Sequence, residues 1–147
     1  METKETIKQE YISRINKVRN YIEQHIDQPL TLNSIAEIAC FSPYHFHRLF
    51  NLLTGETPLN FIQRLRVERA IYLLENNPRL SITEIATACG FSSLSLFSRT
   101  FRKAKGITAR EFRHASRSSL SPEESRVNKY KNNIPGYKNK NKRELSG

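Results

Sequence analysis

The sequence has few of the residues that mark several protein classes. Among 147 residues it has no tryptophan, one methionine, two cysteines and five glycines. Two cysteines do not make a disulfide framework, and so few glycines exclude collagen or a Gly-rich linker. No apolar run approaches the roughly 20 residues of a membrane span, and the first residues, METKE, lack the apolar stretch of a secretory signal. We therefore expect a cytoplasmic protein that does not span a membrane.

Positive charge is the main compositional feature that is present. Lys and Arg number 24 against 14 Asp and Glu, which gives a net charge of +10. Residues 114–147 hold 8 of the basic and 3 of the acidic residues, and so carry half of the excess. Such a balance favours a polyanionic partner. Segment 116–147 is rich in Ser, Asn and Lys with almost no periodic apolar residues, which predicts a disordered basic tail. Its candidate roles are an electrostatic arm or a linker, and the alternative is a solvated segment without a specific role.

The first 113 residues predict an all-α fold of about seven helices, without a sheet. Four isoleucine and valine residues at spacings of 3 and 4 indicate one apolar face of a first helix: Ile15, Val18, Ile22 and Ile26. Capping residues then open six further helices, and glycines close three of the turns. The predicted caps are Thr31, Ser42 with Pro43, Thr57 with Pro58, Ser81, Ser92 or Ser93, and Thr108; the glycines are Gly55, Gly90 and Gly106. We expect the fourth helix to end at Asn76 and the seventh near Arg113.

An internal repeat of about 50 residues is the strongest signal. Leu30 to Ala36 matches Leu80 to Ala86, and Phe41 matches Phe91. One residue is then inserted in the second copy, and the offset becomes 51. Five further residues match at this offset: Phe46, Arg48, Phe50, Gly55 and Phe61 match Phe97, Arg99, Phe101, Gly106 and Phe112. Each copy is a short helix, a tight turn and a second helix, which is the layout of a helix-turn-helix. We expect the repeated phenylalanines, Phe41 and Phe91 included, to form the core.

The repeat divides the chain into four predicted segments. These are a first helix-turn-helix subdomain over 8–57, a linker helix over 58–77, a second subdomain over 78–115 and the basic tail over 116–147. A helix from Pro58 to Asn76 would be about 28 Å long. Successive major-groove faces on one side of B-DNA lie about 34 Å apart. One chain therefore has the dimensions to present two helices to adjacent turns of the groove, although a bundle of packed repeats is also compatible with them.

The motifs of the second copy resemble the AraC/XylS family of bacterial transcription regulators. The most specific strings are Cys89-Gly90-Phe91-Ser92-Ser93, Phe97-Ser98-Arg99 and Gly106-Ile107-Thr108. The first-copy string from Phe41 to Phe50 resembles a subgroup with an additional gyrase-inhibitor-like effector domain. The tail over 116–147 is too short for such a domain, so we expect either a stand-alone regulator or part of a longer one. Cys40 stands where the family commonly has glycine, and Ala109 where it usually has proline.

The resemblance implies which side chains face base edges. On the third helix these are Tyr44, His47 and Arg48, and on the sixth they are Leu94, Ser95, Ser98 and Arg99. Arginine can donate two hydrogen bonds to O6 and N7 of guanine, and leucine can make an apolar contact with the methyl group of thymine. The sixth helix has fewer base-reading groups, so we expect more hydrogen-bond specificity from the first motif. The alternative for Arg48 and Arg99 is a buried arginine that holds a carboxylate such as Glu37 or Glu84.

Phosphate contacts are expected from the edges of the two motifs. Helix N-termini offer free N–H groups to phosphates, and nearby lysines and arginines add charge. The candidates are Thr31, Ser42, Ser81, Ser92, Arg64, Arg66, Lys103, Lys105 and Arg110. For each of the charged candidates, an ordinary solvated surface charge is the alternative.

Other function classes find little support in the sequence. Cys40, His45 and His47 lack metal-ligand spacing, because residues two apart lie on opposite sides of a helix. No nucleophile with a base and an orienting group appears, so we expect no enzyme and no cofactor. Cys40 and Cys89 are predicted as small buried thiols, with a redox sensor as the alternative.

The predicted partner is double-stranded DNA, bound by a monomer in the bacterial nucleoid. The resemblance implies an activator that contacts RNA polymerase. We expect no membrane partner and no small-molecule site. A low-specificity architectural DNA binder and a protein-interaction module that sequesters another regulator remain as alternatives.

Overall fold

The computed structural model describes residues 3–118, and this part of the chain is all-α, as predicted. It contains seven helices and no strand. They are α1 (Lys4–Gln24), α2 (Leu32–Ile38), α3 (Pro43–Thr54), α4 (Pro58–Asn76), α5 (Ile82–Ala88), α6 (Leu94–Lys105) and α7 (Ala109–Ser118). None of these helices is both long and apolar enough to cross a membrane. The predicted tail beyond Ser118 lies outside the described residues.

Side-chain caps set most helix starts where the sequence predicts them. The hydroxyl of Thr31 accepts the amide of Ser34, and Ser42 accepts the amide of His45 with Pro43 in the first helical turn. Ser81 and Glu84 form a reciprocal capping box at α5. Each cap satisfies amides that the helix itself leaves without a partner. The α6 cap is Ser93 and not Ser92, because the Ser93 hydroxyl accepts the Leu96 amide at 3.0 Å.

The last helix is longer than predicted. α7 continues to Ser118, five residues past the expected end at Arg113. Two arginines of α7 explain the extension. The guanidinium of Arg113 donates to the carbonyls of Leu80 and Asn77, and the guanidinium of Arg117 donates to the carbonyl of Pro78. These contacts tie the last turns of α7 to the loop before α5. The predicted boundary between second subdomain and tail, at 115/116, therefore falls inside this helix.

The described chain divides into two compact units. The first comprises residues up to Arg66 together with Ala88–Gly90, and the second comprises Val67–Thr87 and the residues from Phe91 onward. Each unit has its own core, and each core contains a row of three phenylalanines in edge or tilted contact. In the first unit, Phe50 lies 5.6 Å from Phe46 and 5.4 Å from Phe61 between ring centroids. In the second, Phe101 lies 5.7 Å from Phe97 and 5.8 Å from Phe112.

The repeat extends further than the sequence motifs suggest. Arg66 of α4 donates from Nη2 to the carbonyl of Gln28 at 2.9 Å. Arg117 of α7, 51 residues later, donates from Nη2 to the carbonyl of Pro78 at 3.0 Å. In each unit an arginine thus holds the loop that precedes the first helix of the helix-turn-helix. α7 repeats the structural role of the first part of α4, which accounts for its length.

The two cysteines occupy different environments, and one of the two predictions about them is wrong. Cys89 is fully buried, whereas Cys40 is exposed. Cys40 has a positive φ of 60° and takes the turn position that Gly90 (φ 90°) takes in the second copy. Cys89 comes one residue earlier in register and points inward.

Phe41 is also less buried than predicted. It is only partly covered, whereas Phe91 is buried. The Arg14 guanidinium lies 3.9 Å from the centre of the Phe41 ring, and Tyr11 and His45 contact its edge. Arg14 Nε also donates to the carbonyl of Ala39 at 2.8 Å. A cationic cover therefore replaces part of the apolar core at this turn.

Candidate nucleic-acid interface

The α3 helix buries one face and exposes the opposite one. Phe46 and Phe50 are fully buried and fix the helix on the core of the first unit. Tyr44, with 72% of its surface accessible, lies on the exposed side with His47 and Arg48. Because these three residues have offsets of 3 and 4, they share one side of the helix. The structure thus brings the three predicted α3 residues together on one accessible surface.

Arg48 is exposed and forms no ion pair within residues 3–118. Its guanidinium carbon lies 5.7 Å from the centre of the Tyr44 ring, one helical turn earlier. This contact orients the guanidinium along the helix and leaves its N–H donors available to a ligand. The alternative that Arg48 is buried against Glu37 is wrong.

The corresponding surface of α6 combines one apolar side chain with three hydrogen-bonding ones. Leu94 has 44% of its surface accessible, and Ser95, Ser98 and Arg99 are all exposed. Arg99 Nε makes a long hydrogen bond of 3.4 Å to the carbonyl of Ser95. Glu84 is held by its capping box at Ser81, whose backbone N–H lowers the pKa of that carboxyl group. The alternative of a buried Arg99 paired with Glu84 is therefore also wrong.

Three of the basic phosphate candidates are engaged within the chain. Arg64 donates to both carboxylate oxygens of Glu56, with the shorter contact at 2.6 Å. Arg66 donates to the carbonyls of Ile26 and Gln28, and its burial lowers its pKa. Lys105 is half-buried near Glu68, and desolvation lowers its pKa while Glu68 opposes that shift. Each of these three cations already has a partner within the chain, so none of them is proposed as a phosphate contact.

The remaining phosphate candidates are on the surface. Lys103 and Arg110 are exposed, and the exposed Ser42 caps the 12-residue helix α3. Thr31 and Ser81 cap helices of only seven residues. Ser92 is exposed but does not cap α6, so its expected role at a helix N-terminus passes to Ser93.

Three further exposed side chains adjoin the predicted ones. Asn51 and Leu52 continue the exposed side of α3 by one turn, and Arg102 does so on α6. These residues were missed in the sequence analysis. Helical spacing could have identified Asn51 and Leu52, because they lie seven and eight residues after Tyr44. Leu52 lies off the apolar stripe that faces the core, and 80% of its surface is accessible.

The two histidines considered for a metal site, His45 and His47, have different surroundings. His45 packs edge-on against Phe41 and Tyr11, while His47 belongs to the exposed side of α3. Within the described part of the chain, no group of three or more His, Cys, Asp or Glu side chains has the arrangement of a metal site.

Comparison with known proteins identifies the family. A helix-turn-helix family model matches residues 35–115, more than half of the chain. A solved regulator with an AraC-type DNA-binding domain from Chromobacterium violaceum is 33% identical, covers 74% of this chain and 96% of its own, and superposes with a TM-score of 0.65. The chain belongs to the AraC/XylS family.

Other members of the family extend the comparison. The DNA-binding domain of AdpA, solved with a target DNA, is 31% identical with a TM-score of 0.68, and the match covers 71% of this chain and 93% of that domain. The bifunctional transcriptional activator and DNA repair enzyme AdaA of Bacillus subtilis is 36% identical over 104 residues, or 70% of this chain and 48% of AdaA. The activator RhaS of an Enterobacter species is 32% identical over 74% of this chain and 38% of RhaS. The AraC/XylS chain described here therefore spans about half or less of these two relatives.

Proposed function

We propose that this AraC/XylS chain is a sequence-specific DNA-binding regulator of transcription. The observation that carries the proposal is the pair of exposed helices α3 and α6, each the second helix of one repeat. They occur in a domain similar to that of AdpA, which was solved with a target DNA. The net charge of +10 supports a polyanionic partner.

In the proposed complex, α3 and α6 each enter the major groove. Arg48 donates two hydrogen bonds to O6 and N7 of a guanine, while His47 and Tyr44 contact the neighbouring base edges or phosphates. On α6, Leu94 contacts a thymine methyl group, and Ser95, Ser98 and Arg99 supply hydrogen bonds. Ser42, Lys103 and Arg110 contact phosphates and fix the register without reading sequence.

Reading by a single chain is part of the proposal, because one chain holds both copies of the motif. A monomer would then read two segments of a non-palindromic site, where a helix-turn-helix dimer reads two equal half-sites. In this proposal segments 8–57 and 78–115 are two reading modules and 58–77 is their linker. The basic arm begins after Ser118, and not at residue 116, because α7 ends at Ser118.

The relatives also indicate the direction of regulation. AdaA and RhaS are named activators, so we propose that this chain activates transcription in the bacterial cytoplasm through RNA polymerase. AdaA is also named a DNA repair enzyme, but the match spans 48% of it. We propose no catalytic activity for this chain.

Selection of bound sequences from a random duplex pool tests the proposal. The full 147-residue chain is used at about 150 mM salt, where non-specific phosphate binding is weak. The expected result is a motif with two information-rich blocks about 10 base pairs apart. Absence of any enriched sequence would overturn the proposal and favour a low-specificity binder or a protein-interaction module. A single block would restrict base reading to one helix.

Two arginine variants assign the contact. Arg48→Ala should abolish the preference for guanine at one position, a loss of roughly 5- to 150-fold. Arg69→Ala removes the same charge from an exposed position of α4 outside both reading helices, and should leave the preferred sequence unchanged. If both variants select the wild-type motif, Arg48 does not read a base.

A further inference from the structure

The exposed side of α3 is longer than the three residues that the family resemblance assigns to it. Tyr44, Arg48 and Leu52 lie one helical turn apart on one line, and His47 and Asn51 lie on the line beside it. Side chains of α3 from Tyr44 to Leu52 line an open surface along this side. The surface therefore continues a full turn beyond Arg48.

The spacing of these residues matches one that reads DNA in another fold. A homeodomain recognition helix uses four positions with offsets of 0, 3, 4 and 7. Tyr44, His47, Arg48 and Asn51 have the same four offsets, and all four are exposed. From Tyr44 to Leu52 the helix rises about 12 Å, which matches three to four base pairs at 3.4 Å each.

Asn51 and Leu52 are unengaged side chains of distinct chemistry. The Asn51 amide makes no hydrogen bond within residues 3–118, although the Asn51 carbonyl accepts the helix-closing amide of Gly55. Leu52 is 80% accessible, more than any other large apolar side chain among the described residues. A primary amide suits N6 and N7 of adenine, and an aliphatic group suits the thymine methyl. The two side chains together match consecutive A·T base pairs.

The second copy of the repeat has different residues at these positions. At the offset of 51, Arg102 replaces Asn51 and Lys103 replaces Leu52. Both cations are exposed on α6. Cations suit phosphate, which carries no sequence information, whereas an amide and an aliphatic group gain little from phosphate. The last turn of α3 is thus chemically suited to contacts with bases. The matching turn of α6 is suited to contacts with the DNA phosphate backbone.

We propose that Asn51, supported by Leu52, is a further specificity-determining residue of α3 and selects an A·T pair beside the pair contacted by Arg48. This inference rests on the proposed function, because it presupposes that α3 lies in the major groove. With Asn51 and Leu52 included, the first motif has the longer base-contacting surface, with four or five base-contacting side chains. The second motif then combines a shorter base-reading surface with a cationic anchor.

Sequence selection with matched variants tests this assignment in the full chain. Asn51→Ala should reduce the preference for one A·T pair by about 5- to 150-fold while the guanine preference due to Arg48 remains. Asn20→Ala, an exposed asparagine of α1, and Leu59→Ala, a 61% accessible leucine of α4, serve as controls and should select the wild-type motif. Thermal unfolding of every variant verifies that the fold is retained.

The double variant N51R/L52K places the α6 residues on α3. It should lose the A·T preference, and its log–log salt dependence of binding should steepen by about 1.8 if both cations reach phosphates. If wild type enriches a motif and Asn51→Ala, Leu52→Ala and N51R/L52K all retain it in full, this inference is wrong while the proposed function stands. If wild type enriches no motif, the proposed function fails first.

Discussion

At the scale of single residues, Cys40 has the least favourable backbone of the described chain. Among the described residues, it is the one non-glycine residue with a positive φ. A side chain in the left-handed region costs about 1–2 kcal/mol. Arg14 offsets this cost, because it donates to the carbonyls of both Ala39 and Cys40 and covers the Phe41 ring. Contacts from Arg14 therefore stabilise the turn at Cys40, whereas the second copy has Gly90 at the matching position.

Replacing Cys40 with glycine should stabilise the protein. The substitution relieves the left-handed strain but increases the entropy of the unfolded chain, for a net gain of about 0.5–1 kcal/mol in the free energy of unfolding. Cys40→Ala keeps a Cβ in the same conformation and serves as the matched control. Urea unfolding measures both variants. A Cys40→Gly protein no more stable than Cys40→Ala would show that Cys40 is not strained.

The exposed and buried sides of α3 followed from the sequence, but the partners of individual arginines did not. Helical spacing correctly separated Tyr44, His47 and Arg48 from Phe46 and Phe50, because local periodicity decides which side faces the core. The roles of Arg14 and Arg66 escaped the sequence analysis, since their carbonyl partners lie 25 and 40 residues away. No local pattern encodes such a contact, and both arginines would look like surface charges in the sequence.

At the scale of elements, the glycine turns that look equivalent in sequence differ in their surroundings. Gly55 and Gly90 both have positive φ. A Cβ on Gly55 would meet nothing within 4 Å, whereas a Cβ on Gly90 would collide with the carbonyl oxygen of Ile26 and lie 2.9 Å from Arg66 Nε. The turn at Gly90 therefore requires glycine for both conformation and space.

Alanine substitutions separate these two requirements. Gly55→Ala should lower the free energy of unfolding by about 1–2 kcal/mol through conformation alone. Gly90→Ala should cost about 2–4 kcal/mol, because backbone crowding adds to the same strain. Chemical unfolding of the two variants checks the difference. Equal losses at the two positions would mean that the chain relaxes around Gly90 without penalty.

The capping boxes of α5 and α7 make stability depend on pH. The backbone amide of Ser81 donates to Glu84, and that of Thr108 donates to Glu111, and each contact lowers the pKa of the glutamate. A carboxyl group whose pKa is lower in the folded state stabilises the fold above its unfolded pKa of about 4.3. That contribution is lost as the pH falls through the lower, folded value.

The double variant E84Q/E111Q tests this dependence. Glutamine preserves the cap geometry but does not titrate, so the fall in thermal unfolding midpoint between about pH 6 and pH 3 should be smaller than in wild type. Glu37→Gln removes an exposed carboxylate of α2 that belongs to no cap, and serves as the control. If E84Q/E111Q and wild type lose stability in parallel, the caps do not cause the acid sensitivity.

At the scale of the whole molecule, charge is spread unevenly along the chain. Residues 119–147 hold 7 Lys and Arg against 3 Asp and Glu. Their structure lies outside the described residues, but their charge enters any association with a polyanion. Because α7 ends at Ser118, a truncation after this residue removes the segment without cutting a helix.

Deletion of residues 119–147 should weaken DNA binding about equally on all sequences. The loss of cations should also make the dependence of log affinity on log salt shallower, because fewer counterions are released. Titrations of a selected and a scrambled duplex between about 50 and 200 mM salt measure both effects. A change in the preferred sequence would show instead that the segment takes part in base recognition.

The different environments of the two thiols have a practical consequence. Cys40 is exposed two residues before Ser42, the cap of α3, while Cys89 is buried. A maleimide dye added to the native protein should therefore label Cys40 selectively. The wild-type chain would then carry an optical reporter next to α3, so that the kinetics of duplex binding can be followed without any engineered cysteine.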